Sequence, residues 1–274
     1  MSTVLVQLTR RSFGQTMRKG AWWLPSLLTF IVFGSFVGYS TWAAFQGEHY
    51  LFTKGGAHYL SPFYSPELIG YAASAWFGDK TGWMPAWLPT LFTSPALLIL
   101  WAPGGFRLTC YYYRGAYYKA MWADPIACTV GEPRSGYRGE KKFPLILQNL
   151  HRYFLYLALL FLIVLAYDAY EAMWFTDPVT KQAHFGIGVG TIVLTADLVC
   201  LSLYTFSCHS LRHLIGGRKN ELSKNKTQKA CYDCVSSLNS RHMLFAWISL
   251  FVVGFSDIYV RLCSMEIWTD FRIL

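Results

Sequence analysis

The sequence predicts an all-α integral membrane bundle of five transmembrane helices, with the N-terminus cytoplasmic and the C-terminus outside. Three observations carry this. Of 274 residues, 54% are hydrophobic and 18% aromatic, while only 14% are charged; a soluble chain carries roughly a quarter charged residues. The apolar residues fall in blocks of about 20, the length that crosses a bilayer. The basic residues collect in alternate loops, as the positive-inside rule expects of cytoplasmic segments. Residues 1–274 read as a single membrane domain.

Taken in order, residues 1–20 form a basic arm. Its Arg10, Arg11, Arg18 and Lys19 precede an apolar run too long for a signal-peptide core. The first span is expected over about 22–45, with Gly34 and Gly38 as a small-residue packing face. The loop 46–86 is rich in Gly, Pro and aromatic residues, and its Trp76 and Trp83 suit the membrane interface. The second span, 87–112, passes Pro95 and Pro103-Gly104-Gly105, which weaken or kink it. It emerges through Arg107 and Cys110 into Tyr111-Tyr112-Tyr113.

The third span, 147–174, enters with His151-Arg152 and leaves past Asp168 and Glu171. Asp177-Pro178 then turns the chain back. The fourth span, 185–215, carries Asp197, Cys200, Tyr204 and Cys208 on one face and closes on Gly216-Gly217. A polar, basic segment (218–237) contains Cys231-Tyr-Asp-Cys234. The fifth span, 239–268, enters with His242 and leaves past Asp257 and Arg261; Asp168, Asp197 and Asp257 could form a proton path, or be paired inside the bundle, as Asp257 and Arg261, one turn apart, could neutralise each other. No internal repeat is evident.

The formal charge is +9, from 24 Lys and Arg against 15 Asp and Glu. That excess lies in the loops expected at one membrane face, which argues for membrane lipid and against nucleic acid. Seven scattered cysteines do not make a disulfide framework and leave buried thiols or metal ligands. Cys231-x-x-Cys234 lacks a second pair at zinc spacing, so ordinary thiols are expected there.

With this topology Cys110, His151, Cys208, His209, His213 and His242 all lie within a turn or two of the cytoplasmic boundary. Ionisable groups at membrane depth are costly and usually have a partner or a task. Two cofactors use such residues. A b haem takes two imidazoles from facing helices, and a Rieske-type [2Fe–2S] centre takes two thiolates and two imidazoles. Buried cysteines acting as small hydrophobes, with histidines merely capping helices, is the plainer alternative. His49, His58 and His184 lie in or beside outer loops, so no span brings a second histidine pair to the outer half.

The stretches Phe143-Pro-Leu-Ile-Leu-Gln-Asn-Leu-His-Arg-Tyr153, Cys208-His-Ser-Leu-Arg-His213 and Arg241-His-Met-Leu-Phe-Ala-Trp247 resemble the membrane anchor of actinobacterial succinate dehydrogenases. The likeness runs over most of the chain. Five spans also resemble the di-haem anchors of fumarate reductases, from which this chain departs by lacking outer histidine ligands. The resemblance implies a plasma-membrane anchor of respiratory complex II, working with a flavoprotein and an iron–sulfur protein, and leaves room for a higher oligomer. It also implies a Rieske-type cluster and a quinone site near the iron–sulfur protein, with no succinate chemistry in this chain.

For that cluster, Cys110 and Cys208 are the expected thiolates and His151 and His242 the expected imidazoles, because four spans bring them to one depth. His209 or His213 could replace either imidazole, and Cys128 could replace Cys110. Arg212, His209, His213, Tyr111, Tyr112 and Tyr113 are the expected quinone contacts, since a quinone needs donors at its carbonyls and an aromatic slot. A b haem in the same complex, or a non-redox transporter or assembly protein, are the competing readings. A transporter would place its polar site near the midplane between repeated halves.

Overall fold

The computed structural model describes residues 20–21, 23–70, 75–78, 94–116, 143, 145–177, 179–217 and 221–274. Trp83, Cys128, the basic arm and much of the loop between 117 and 142 therefore lie outside the described residues. Among those described, eight α-helices and two small hairpins follow one another. They are α1 (Leu24–Gln46), β1 (Leu51–Phe52), β2 (Tyr59–Leu60), α2 (Trp101–Thr109), α3 (Tyr111–Ala116), α4 (His151–Glu171), β3 (Trp174–Thr176), β4 (Ala183–Phe185), α5 (Val189–Phe206), α6 (His209–Gly216), α7 (Lys226–Asn239) and α8 (His242–Ser264).

Among the described residues, four helical segments are long and apolar enough to cross a membrane: Leu24–Gln46, Ile146–Glu171, Val189–Phe206 and His242–Ser264. The second expected span differs. Its residues 87–93 are outside the described residues, and the rest begins as a 3-10 turn (Pro95–Leu98) followed by the nine-residue α2. Pro103 sits in the first turn of α2, where its missing N–H would have had no helical partner anyway. Gly105 allows close approach to α4: a Cβ there would run into the Phe154 ring.

The fourth expected span, 185–215, is not one helix. Phe185 belongs to β4, the helix proper ends at Phe206, and Cys208 breaks the chain before α6. Gly217 does cap α6, with extended rather than left-handed backbone (φ −73°, ψ 157°). The polar segment after it holds a further helix, α7. Asn225 caps α7 by accepting from the Gln228 N–H at 3.1 Å, and Lys229 pairs with Asp233 at 2.6 Å. The packing face expected at Gly34 and Gly38 meets no atom within 4 Å among the described residues. Consistently, α1 buries only Ala43 and Ala44.

The central pair is α5 and α8, and α4 packs against α2 and α5. α8 is the most buried helix, with Asp257 and Arg261 inside it. Arg261 donates to the Asp257 carboxylate through Nε (3.2 Å) and Nη2 (3.3 Å), and through Nη1 to the Glu48 carbonyl (2.8 Å). Tyr39 and Ser61 hydroxyls also donate to Asp257, each at 2.5 Å. The expected neutralisation is therefore present, with two added donors. Asp168 accepts from Ser65.

Both hairpins and the C-terminal tail gather at one end of the bundle. β1 pairs with β2, β3 with β4, and Gly188 bridges to Arg272. Asp270 ties this end together by accepting from the hydroxyls of Tyr259 (2.6 Å) and Tyr59 (2.9 Å) and from the Gly190 N–H (3.0 Å). The β3–β4 turn is closed at Asp177, whose carboxyl is held below its ordinary value by the backbone N–H groups of Val179 and Thr180. His49, His58 and His184 fall at this end, far from the other imidazoles.

Candidate redox site

The opposite end is built from two helix breaks and two helix starts. α2 stops at Thr109 and Cys110 turns extended (φ −62°, ψ 130°) before α3. α5 stops at Phe206, and Cys208 turns extended in the same way (φ −65°, ψ 136°) before α6. Each break carries a hydroxyl residue immediately before its cysteine. His151 opens α4 and His242 opens α8.

The four elements interlock crosswise. Thr109 Oγ1 lies 2.9 Å from His151 Nδ1, while Cys208 Sγ lies 3.1 Å from His151 Nε2. Ser207 Oγ lies 2.7 Å from His242 Nδ1, while Cys110 Sγ lies 3.5 Å from His242 Nε2. Each break thus gives its hydroxyl to one histidine and its thiol to the other.

The hydroxyls decide the tautomers. Thr109 donates its own proton to the Gly105 carbonyl at 2.7 Å, and Ser207 donates to the Tyr204 carbonyl at 3.0 Å. Both oxygens are left to accept, so both imidazoles carry their proton on Nδ1. Both Nε2 lone pairs then face a thiol, whose S–H is the donor. The rings are clamped as well. Phe106 stacks on His151 (4.6 Å, 6°) and Tyr204 on His242 (5.2 Å, 14°).

Cys110, Cys208, His151 and Ser207 are 2%, 1%, 9% and 0% exposed, and His242 is half-buried. The four candidate ligands line one cavity of about 870 Å³, together with Tyr111, Tyr112 and His209. Among the described residues no three His, Cys, Asp or Glu side chains converge as a single ion would require. Two Cys–His pairs are present instead. Two thiols and two imidazoles with bare Nε2 atoms fit the donor set of a Rieske-type [2Fe–2S] centre. A haem would use the imidazoles alone and leave both thiols idle.

The other expected residues divide. His209 lies at the cavity rim, its Nε2 at 2.9 Å from that of His213 rather than at a thiol. Arg212 turns away to α7, donating to Ser236 at 3.0 Å and lying over the Tyr232 ring. Tyr113 is buried, donating to the Ala246 carbonyl at 2.7 Å and accepting from Arg107 at 2.9 Å. Tyr112 accepts from Trp247 Nε1 at 2.5 Å. Cys231 and Cys234 are exposed on α7.

Sequence patterning does not single out Thr109, Ser207, Phe106 and Tyr204 as one site by depth alone. A local signal is nevertheless present: an aromatic residue, two spacers, a hydroxyl residue, then Cys, with Arg four residues on. It occurs at Phe106–Arg114 and again at Tyr204–Arg212.

Residues 24–266 match the family described as actinobacterial succinate dehydrogenase subunit SdhC. The chain belongs to this family. Among solved structures it is similar to a chain of the Mycobacterium smegmatis Sdh1 complex in the apo form, with 40% identity over 100% of both chains and a TM-score of 0.82. No curated protein matches it. As an SdhC family member, it is the membrane anchor of a succinate dehydrogenase complex.

Proposed function

We propose that this anchor holds a Rieske-type [2Fe–2S] cluster through Cys110, Cys208, His151 and His242 and passes electrons from succinate to a membrane quinone. The observation that carries this is the crossed pair of Cys–His contacts, with both imidazoles held in the Nδ1–H form. Thr109 and Ser207 orient the rings, and Phe106 and Tyr204 fix their planes. A cluster bound there would accept and release one electron at a time. The backbone N–H of Ser210 also donates to Cys208 Sγ, at 3.3 Å.

The electrons come from partners: a flavoprotein that oxidises succinate and an iron–sulfur protein that relays the charge. Succinate loses two electrons and two protons to become fumarate, and the quinone gains two of each. The similarity to a chain of the M. smegmatis Sdh1 complex supports such an assembly. In this reading the chain crosses the plasma membrane five times, with the cysteine–histidine end cytoplasmic. The directions of the helices support it: α1, α4 and α8 run from that end to the hairpins, while α2 and α5 return.

Replacing His151 and His242 together by Ala tests the reading. It should abolish both the Rieske-type electron paramagnetic resonance signal and quinone reduction, while succinate oxidation by a soluble dye continues. A full-strength signal in that variant would overturn the ligand assignment.

A further inference from the structure

The Arg107 guanidinium is held beside the redox site by its neighbours. It donates to the hydroxyls of Tyr113 (2.9 Å) and Ser249 (3.1 Å) and lies 3.5 Å from the Ala246 carbonyl, one turn past His242 on α8. Its central carbon sits 4.7 Å from the centre of the Tyr204 ring, and that ring stacks on His242 at 5.2 Å. The Arg107 carbonyl also accepts from the Cys110 N–H at 3.2 Å. A fixed cation therefore stands one ring away from His242 and one turn before Cys110.

We propose, resting on the redox reading above, that Arg107 sets the reduction potential of the cluster, its charge favouring the reduced form. The counter-charge is the more distant partner. Asp197 is the acid whose charge reaches Arg107, and it precedes Tyr204 by two turns of α5, about 10 Å of helical rise toward the hairpin end. The positive end of this pair thus faces the site. Arg107 also lines a cavity whose other walls are almost wholly apolar, including Phe36, Leu100 and Leu162, so its field is screened less than in water. Nor does the ligand geometry need the charge. In the pattern shared by Phe106–Arg114 and Tyr204–Arg212, the residue after the aromatic is Arg107 in one copy and Thr205 in the other. Both copies nevertheless offer a hydroxyl to one histidine and a thiol to the other. At about 10 Å and an effective dielectric of about 20, one charge shifts a one-electron equilibrium roughly tenfold. The potential of an iron–sulfur cluster follows such surroundings as well as its ligands.

The test uses the purified complex with its partner proteins and no added quinone, and follows the Rieske-type paramagnetic signal as the potential is varied. Arg107→Gln removes the charge and should lower the midpoint by at least about 59 mV, a tenfold change for one electron. Arg107→Lys keeps the charge and should leave most of the midpoint in place, which a packing defect alone would not give. Ser249→Asp and Ser249→Asn have nearly the same shape and differ by one charge placed against the guanidinium. They leave Arg107 itself intact, so they decide the matter if the Arg107 variants do not assemble. The Asp variant should lie below the Asn variant by a similar margin. A midpoint unchanged by Arg107→Gln, or lowered equally by Arg107→Lys, overturns the role given to Arg107, as do equal midpoints in the two Ser249 variants. A complex of the unaltered chain with no Rieske-type signal strikes the redox reading instead, so the two failures are distinguishable.

Discussion

Thr109 and Ser207 hold the two histidines of the site by the same ring nitrogen, Nδ1, at 2.9 and 2.7 Å. They stand at matching places, one residue before Cys110 and Cys208. The consequence is that neither histidine is aimed by its own helix alone. Each is set by one helix break and faced by the thiol of the other, so the relative position of α2 and α5 determines the site.

This gives the first prediction. Thr109→Val keeps the shape but removes the acceptor for His151 Nδ1–H, leaving a buried donor unsatisfied at a cost of about 1–3 kcal/mol. Loss of such an orienting partner typically lowers metal affinity about 10- to 100-fold. Cluster content by iron and acid-labile sulfide analysis should fall, and the paramagnetic signal should shift in what remains. Ser207→Ala should act likewise through His242. Thr109→Ser should restore both, an outcome that a packing defect alone would not give.

The second prediction concerns the hairpin end. Asp257 is 0% exposed and Arg261 3%, so removing either charge strands the other. Asp257→Ala should destabilise the chain by about 3–5 kcal/mol, the usual cost of half a buried ion pair. Thermal inactivation of the purified complex measures it. Combining Arg261→Met with Asp257→Leu should recover only part, because Tyr39 and Ser61 also donate to Asp257 and would lose their acceptor.

Much of this was legible in the sequence and some of it was not, for a definable reason. Apolar block length gives depth, and depth alone placed Cys110, His151, Cys208 and His242 in one layer. It does not give azimuth, which in the structure turns Arg212 toward α7 and sets His213 beside His209. A run such as 185–215 also hides its break. Cys208 lies in an unbroken stretch without proline, and it caps α6 by accepting from the Ser210 N–H while Ser207 and Cys208 also bond across the bundle. By contrast, α7 is readable from Asn225 and the Lys229–Asp233 spacing.

A third prediction follows from Asp270. It receives two phenolic hydroxyls and one backbone N–H, so Asp270→Ala removes an acceptor from all three; the Tyr59 hydroxyl keeps Thr191 Oγ1 at 3.4 Å, and each donor left unpaired costs about 1–3 kcal/mol where buried. The C-terminal tail should come loose from Gly188, and carboxypeptidase should then trim the chain past Arg272. Deleting residues 271–274 alone should be milder, since Asp270 and its three bonds remain.

The last prediction is the topology. Cys231 and Cys234 are exposed on α7, beside the end that holds the redox site, while Thr180 is exposed in the turn between β3 and β4 at the other end. Helix α5 separates them. If it crosses the bilayer, an impermeant maleimide must reach the two sites from opposite faces. In sealed right-side-out vesicles, Thr180→Cys should label and Cys231 should not; in inverted vesicles stripped of the peripheral proteins the pattern should reverse. The basic residues at the start of α7 and just before it, among them Lys224, Lys226 and Lys229, make a cytoplasmic placement of that side the expectation of the positive-inside rule. Labelling of both sites from one face would mean that α5 does not cross. The cysteine–histidine layer would then no longer face the side where succinate is oxidised, and the electron route proposed for this anchor would have no entrance.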